Sequence, residues 1–196
     1  MKKKVALTIT SIALVAAMAI GGTLAWLTAK SDTVTNTFIA SAGITALTLD
    51  ESKYENGALV PEARVQSNDY TMIPGETYPK DPKVSITTAV DSYVFVQVAE
   101  QNGLATYIDY AIQEGWTELE TGVYYQTVTA ATGTADLYVL AGTGENANGQ
   151  VTVNNVDLSG ISEANPALVF NAYAIQTAGF ETAAEAWTAA LDAAQA

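Results

Sequence analysis

Beyond residue 43 the chain is built from short stretches in which apolar side chains recur at every second position. "TALTL" (45–49) sets Leu47 and Leu49 on one face, and "KVSITT" (83–88) does the same with Val84 and Ile86. "YVFVQV" (93–98) is dense in β-branched and aromatic residues. "VYYQTV" (123–128), "DLYVL" (136–140), "QVTVNNV" (150–156) and "ALVFNAYAIQ" (167–176) follow as further strand candidates. Short alternating runs between turn clusters predict an all-β fold, an antiparallel β-sandwich rather than a parallel α/β sheet.

Two stretches carry helical spacing instead. "LATYIDYAIQEGW" (104–116) places Leu104, Tyr107, Ile108 and Ala111 on one stripe and has Gly115 as a stop, which predicts one short crossover helix. "ETAAEAWTAALDAAQA" (181–196) opens on Thr182 and Glu185, a capping-box spacing, and its stripe is Ala183, Ala186, Trp187 and Ala190. A C-terminal helix anchored by Trp187 is expected there. Residues 51–69 read as a polar, loop-like insertion with Asn56-Gly57 and Pro61, and Pro74-Gly75 reads as a turn. Pro79 and Pro82 bracket Lys80-Asp81, which suits an extended edge that is not fully paired.

The N-terminus has a different character. Lys2, Lys3 and Lys4 precede an apolar run from Val5 to Ile20, broken only by Thr8, Thr10 and Ser11. As a helix its 16 residues reach about 24 Å, short of a hydrocarbon core of roughly 30 Å. Gly21 and Gly22 end it, and Thr23-Leu24-Ala25 puts small residues at the −3 and −1 positions of a signal-peptidase site. This is the layout of a secretory signal, with cleavage expected between Ala25 and Trp26. The alternative is an uncleaved anchor, since Val5 to Leu27 as a helix spans about 34 Å. The expected organisation is a signal peptide over 1–25, an N-terminal extension over 26–43, a sandwich domain over 44–180 and a helix over 181–196.

Charge and composition then narrow the function. Net charge is −13, from 21 acids and eight bases. Without the three leading lysines, only Lys30, Lys53, Arg64, Lys80 and Lys83 face the same acids. Such a body is repelled by nucleic-acid phosphate and by anionic lipid, so no nucleic-acid partner is expected, and membrane association only before cleavage. There is no Cys and no His. A Ser-His-Asp or Cys-His relay cannot be assembled, and an H-E-x-x-H zinc site lacks its imidazoles.

The remaining candidates for chemistry are weak. "GENANG" (144–149) fails as an EF-hand loop: aligning Gly149 with the invariant glycine puts Gly144 and Asn155 where carboxylates belong. A hairpin loop with a tight Asn148-Gly149 turn is the simpler reading. The acid pairs Asp50/Glu51 and Glu118/Glu120 have the residue type for glycoside hydrolysis, but nothing in the sequence sets either in a cleft. Ser31 beside Lys30, and Ser52 beside Lys53, read as solvated loop residues rather than Ser-Lys dyads. Most of the three Trp and ten Tyr residues suit strands and core. No catalytic residues, cofactor or metal ligands are assigned.

Three stretches resemble TasA/camelysin-like secreted proteins of Gram-positive bacteria. They are the leader with "GGTLAWLT" and "TNTFIASAGITALTL", then "IPGETYPKDPKVSITTAVDSYVFVQV", and "AYAIQTAGFETAAEAW". The resemblance covers the signal region, much of the first half and the C-terminus; residues 100–165 carry none of it. It implies processing by a SipW-type signal peptidase, export to the cell surface or beyond, and a jelly-roll-like sandwich. It further implies self-association into biofilm-matrix fibres, one subunit's N-terminal strand completing the next subunit's sheet. Camelysin's described metalloprotease activity is not expected of a chain without His or Cys. Residues 26–41 are polar and Thr-rich, with Val34 and Phe38 as anchors of the donor strand. The opposite expectation is that this segment folds onto its own domain. The working expectation is a non-enzymatic matrix or fibre subunit; the rivals are a monomeric module for a glycan or host protein and a hydrolase using paired acids.

Overall fold

The computed structural model describes residues 28–31, 43–130, 133–159, 161 and 165–195. Its strands are β1 (Thr28–Ser31), β2 (Ile44–Glu55), β3 (Ala58–Val65), β4 (Thr77–Pro79), β5 (Lys83–Thr88) and β6 (Ser92–Gln101). They continue as β7 (Ile108–Asp109), β8 (Thr117–Glu120), β9 (Val123–Val128), β10 (Thr134–Tyr138), β11 (Gln150–Val153) and β12 (Ala167–Gln176). One α-helix, α1 (Ala183–Gln195), closes the chain. The strands form a five-stranded sheet in the order β1-β12-β6-β9-β8, a four-stranded sheet β10-β5-β2-β3 and a small sheet β4-β11-β7. Every pairing is antiparallel. The fold is therefore all-β, an antiparallel sandwich with one C-terminal helix.

Two cores explain why these residues form these elements. In the first, Leu47 and Leu49 of β2 lie beside Ile86 and Val84 of β5 and pack against Val94, Val96 and Val98 of β6. Phe170, Ala172 and Ala174 of β12 complete it. The second lies on the other face of the five-stranded sheet, where Phe95, Tyr173 and Ile175 meet Trp187. β6 thus buries both faces over residues 94–96, which is why its sequence is continuously apolar there instead of alternating.

α1 follows its expected design. Ala183, Ala186, Trp187 and Ala190 are its buried residues. Glu185 N–H donates to Thr182 Oγ1, and Glu185 Oε2 accepts from the N–H groups of Glu181 and Thr182, a closed capping box. The Trp187 ring sits 5.2 Å from Phe95 and 5.1 Å from Tyr173, centroid to centroid.

The crossover helix expected over 104–116 does not form. That stretch holds one 3-10 turn (Leu104–Thr106) and the two-residue β7. Its amides bond across the chain: Gln113 N–H donates to Val139 O, while Ala111 O accepts from Ala141 N–H. Ile108 pairs with Val153. Cross-chain bonding to 139–141 and β11 outweighs local helical spacing. The insertion expected over 51–69 is also more regular than its composition suggests. β2 and β3 form a hairpin there, turning at Asn56 and Gly57, both at positive φ.

Candidate functional site

A cavity of about 700 Å³ opens between the sheets. Its floor is apolar, with Tyr78, Leu104, Ile108, Val151, Val153 and Phe170 among its lining. Asp50, Glu51, Asn68, Asp69, Tyr70 and Lys80 line it as well and supply the polar wall. β12 contributes residues 167–170. β6 pairs with that part of β12 along one side; along the other, among the described residues, β1 covers only Ala172–Ile175.

The polar wall is a charge network seated on β2. Lys80 Nζ donates to Glu51 Oε2 at 2.6 Å, with side chains 11% and 9% exposed. The Lys80 ammonium lies 5.3 Å from the Tyr70 ring centroid and 5.8 Å from that of Phe170. Asp81 turns the other way. Its carboxylate accepts from Ser52 N–H and Ser52 Oγ, both at 2.7 Å, and from Arg64 Nη1 at 3.0 Å. Arg64 also donates through Nε to Asp50 Oδ1 at 2.8 Å. Burial works against the guanidinium charge, yet the hydrogen bond to Asp50 and the charges of Asp81 and Asp50 hold its pKa above the usual value.

Tyrosines seat the irregular segment between β3 and β4. Tyr54, Tyr70 and Tyr78 pack mutually at 4.6–6.2 Å between centroids. Tyr78 Oη donates to Thr71 O at 2.8 Å, and Tyr70 Oη donates to Pro79 O at 3.2 Å. Asn68 accepts from Tyr54 N–H and donates to Ser52 O, bridging the bulge between Ser52 and Lys53. Burial, then the charges of Glu51 and Asp81, push the Tyr70 hydroxyl pKa up.

Several sequence readings change here. Lys80 and Asp81, expected on an underpaired edge, are 8% and 5% exposed. Glu51 and the Tyr70 and Phe170 rings partner the buried Lys80, and Ser52 and Arg64 partner the buried Asp81. Ser52, expected in a solvated loop, is fully buried within β2, whereas Lys53 pairs with Glu55 at the surface. Asp50 and Glu51 take different cations, Arg64 and Lys80, and do not act as one pair. Glu120 accepts from Trp187 Nε1, and a register shift separates it from Glu118. "GENANG" forms a 3-10 turn (Gly144–Asn146) and then a tight turn in which Gly149 N–H donates to Asn146 O. Ala25, Trp26, Val34 and Phe38 lie outside the described residues.

The sequence marks Glu51 and Lys80 in other roles, an acid pair and an underpaired edge, and does not mark Tyr70. The signal was present in Lys80-Asp81 held between two prolines, but the partner lies 29 positions away. Among the described residues no three carboxylates gather as a cation site, and no helix is long and apolar enough to cross a membrane. Compared with protein-family models, curated proteins and solved structures, the chain matches none.

Proposed function

We propose that the chain is an exported, non-enzymatic structural subunit that self-associates at the cell surface or in an extracellular matrix by β-strand donation. The observation that supports this reading is the position of β1. It starts three residues after the expected cut at Ala25 and forms an edge strand only four residues long against β12. An edge strand so short contributes few backbone hydrogen bonds, so exchange for the same strand of a second copy replaces like with like. Leader removal by a SipW-type peptidase frees the N-terminal segment for that exchange, and an acidic body keeps unassembled subunits apart.

The experiment uses the chain starting at Trp26 beside one starting at Gly43. Filaments by electron microscopy from the longer chain, absent from the shorter one, support donation. A folded longer chain that stays monomeric at high concentration overturns it.

The cavity favours a second reading, a monomeric module that binds a small ligand or an extended glycan. A chain that is monomeric yet stabilised against heat by one compound of a glycan panel would replace the first reading with this one.

A further inference from the structure

Lys80 and Glu51 play no part in strand donation, and their geometry points elsewhere. Three lysine–carboxylate pairs occur among the described residues. Lys53–Glu55 and Lys83–Asp136 each leave a carboxylate about half exposed, at 51% and 47%. Lys80–Glu51 is the dry one. Its ammonium has three N–H groups and one hydrogen-bond acceptor among the described residues, Glu51 Oε2. The Tyr70 and Phe170 rings flank it. A buried ion pair offsets its desolvation well only when the remaining donors are also satisfied. Arg64 meets that condition with Asp50, Asp81 and Ser52; among the described residues Lys80 does not.

We infer that Lys80 and Glu51 join through an intramolecular amide bond. With Nζ 2.6 Å from Oε2, covalent geometry puts Nζ within roughly 3–3.5 Å of the Glu51 carboxyl carbon, the range of a near-attack arrangement. Both partners are held from the backbone. Glu51 pairs with Val65 in the β2–β3 ladder, and Lys80 N–H donates to Gly149 O at 3.0 Å. That approach needs a glycine, since a Cβ at Gly149 would fall 2.1 Å from Lys80 O.

The reaction balances within the pair. The Nζ–Cδ bond forms and one Cδ–Oε bond breaks. The ammonium releases two protons, and both leave on the departing oxygen as water. Nothing is oxidised or reduced, and no co-reactant is required. Both residues line the cavity, which gives the water its way out. The product carries a single N–H and a single carbonyl in place of an under-partnered ammonium and a carboxylate. It ties β2 to the β4–β5 connection whether or not the chain assembles.

Intact-mass spectrometry of the folded full chain, after prolonged incubation, tests this directly. The expected mass is that of the sequence less one water, with digestion giving a branched peptide joined at residues 51 and 80. Lys80→Arg keeps the positive charge and runs at its full sequence mass. Glu51→Gln gives the same branched peptide, losing ammonia instead of water. A folded wild-type chain at its full sequence mass overturns the assignment. So does a water loss that maps elsewhere or persists in Lys80→Arg.

Discussion

Trp187 Nε1 donates a 2.9 Å hydrogen bond to Glu120 Oε1, fastening the C-terminal helix to β8, the edge of the five-stranded sheet opposite β1. The indole is 5% exposed and packs on Phe95 and Tyr173. Trp187→Ala is expected to lower stability by about 3–5 kcal/mol, because it removes the largest side chain of the second core. Glu120→Ala removes only the acceptor and is expected to cost about 1–3 kcal/mol. Urea denaturation of both variants measures the difference, and equal losses would contradict this assignment of roles.

Asp81 holds two groups of Ser52 and one of Arg64 in a buried site. Asp81→Ala leaves a buried amide without its acceptor and Arg64 short of one partner. A loss of about 3–5 kcal/mol is expected. Asp50→Ala, at a side chain 21% exposed against 7% for Asp81, is expected to cost less. Denaturation midpoints should fall in that order.

The tyrosines set an alkaline limit. Tyr70, Tyr110 and Tyr124 all have hydroxyl pKa values raised first by burial, with added charge or hydrogen bonding from Glu51, Glu100 and Glu118 respectively. A group whose folded value exceeds its unfolded value of about 10 adds stability that is complete below that pH and lost as pH rises. Melting temperature should therefore fall above about pH 10. Tyr70→Phe gives up the bond to Pro79 O at neutral pH but should flatten the alkaline fall.

An acidic limit has the opposite sign. Burial tends to raise the Asp136 pKa, but hydrogen bonds from Ser85 and Lys83 and the charges of Lys83 and Arg64 outweigh it and lower the value. Its contribution is present above the unfolded value of about 3.9 and disappears as pH falls through the folded value. Asp136→Asn should be less stable at neutral pH and show a shallower acid transition.

How much of this was legible depended on how local each cause was. α1 could be read residue by residue because its cap and its stripe lie within one segment. β12 and β6 could be read because burial is written in their own side chains. The 104–116 stretch misled because its Leu104/Ile108 spacing suits a helix as well as two separate contacts on the cavity floor. Asn102 and Gly103, both left-handed, break the chain just ahead of it. The Lys80–Glu51 and Asp81–Ser52 contacts join positions far apart in sequence, and a charged residue beside proline looks the same exposed or buried.

The middle of β6, buried on both sides, changes what keeps the sheet in alignment. In a half-buried strand a slip by one residue is forbidden by polarity, because it drives charges inward. Around Val94, Phe95 and Val96 a slip would trade one oily surface for another, so polarity alone enforces little. Volume has to do it: valines fit opposite Ala172 and Ala174, and Phe95 fits only beneath the indole. Exchanging Val94 and Phe95 would keep composition and hydropathy unchanged and still jam the interior on one side while hollowing it on the other.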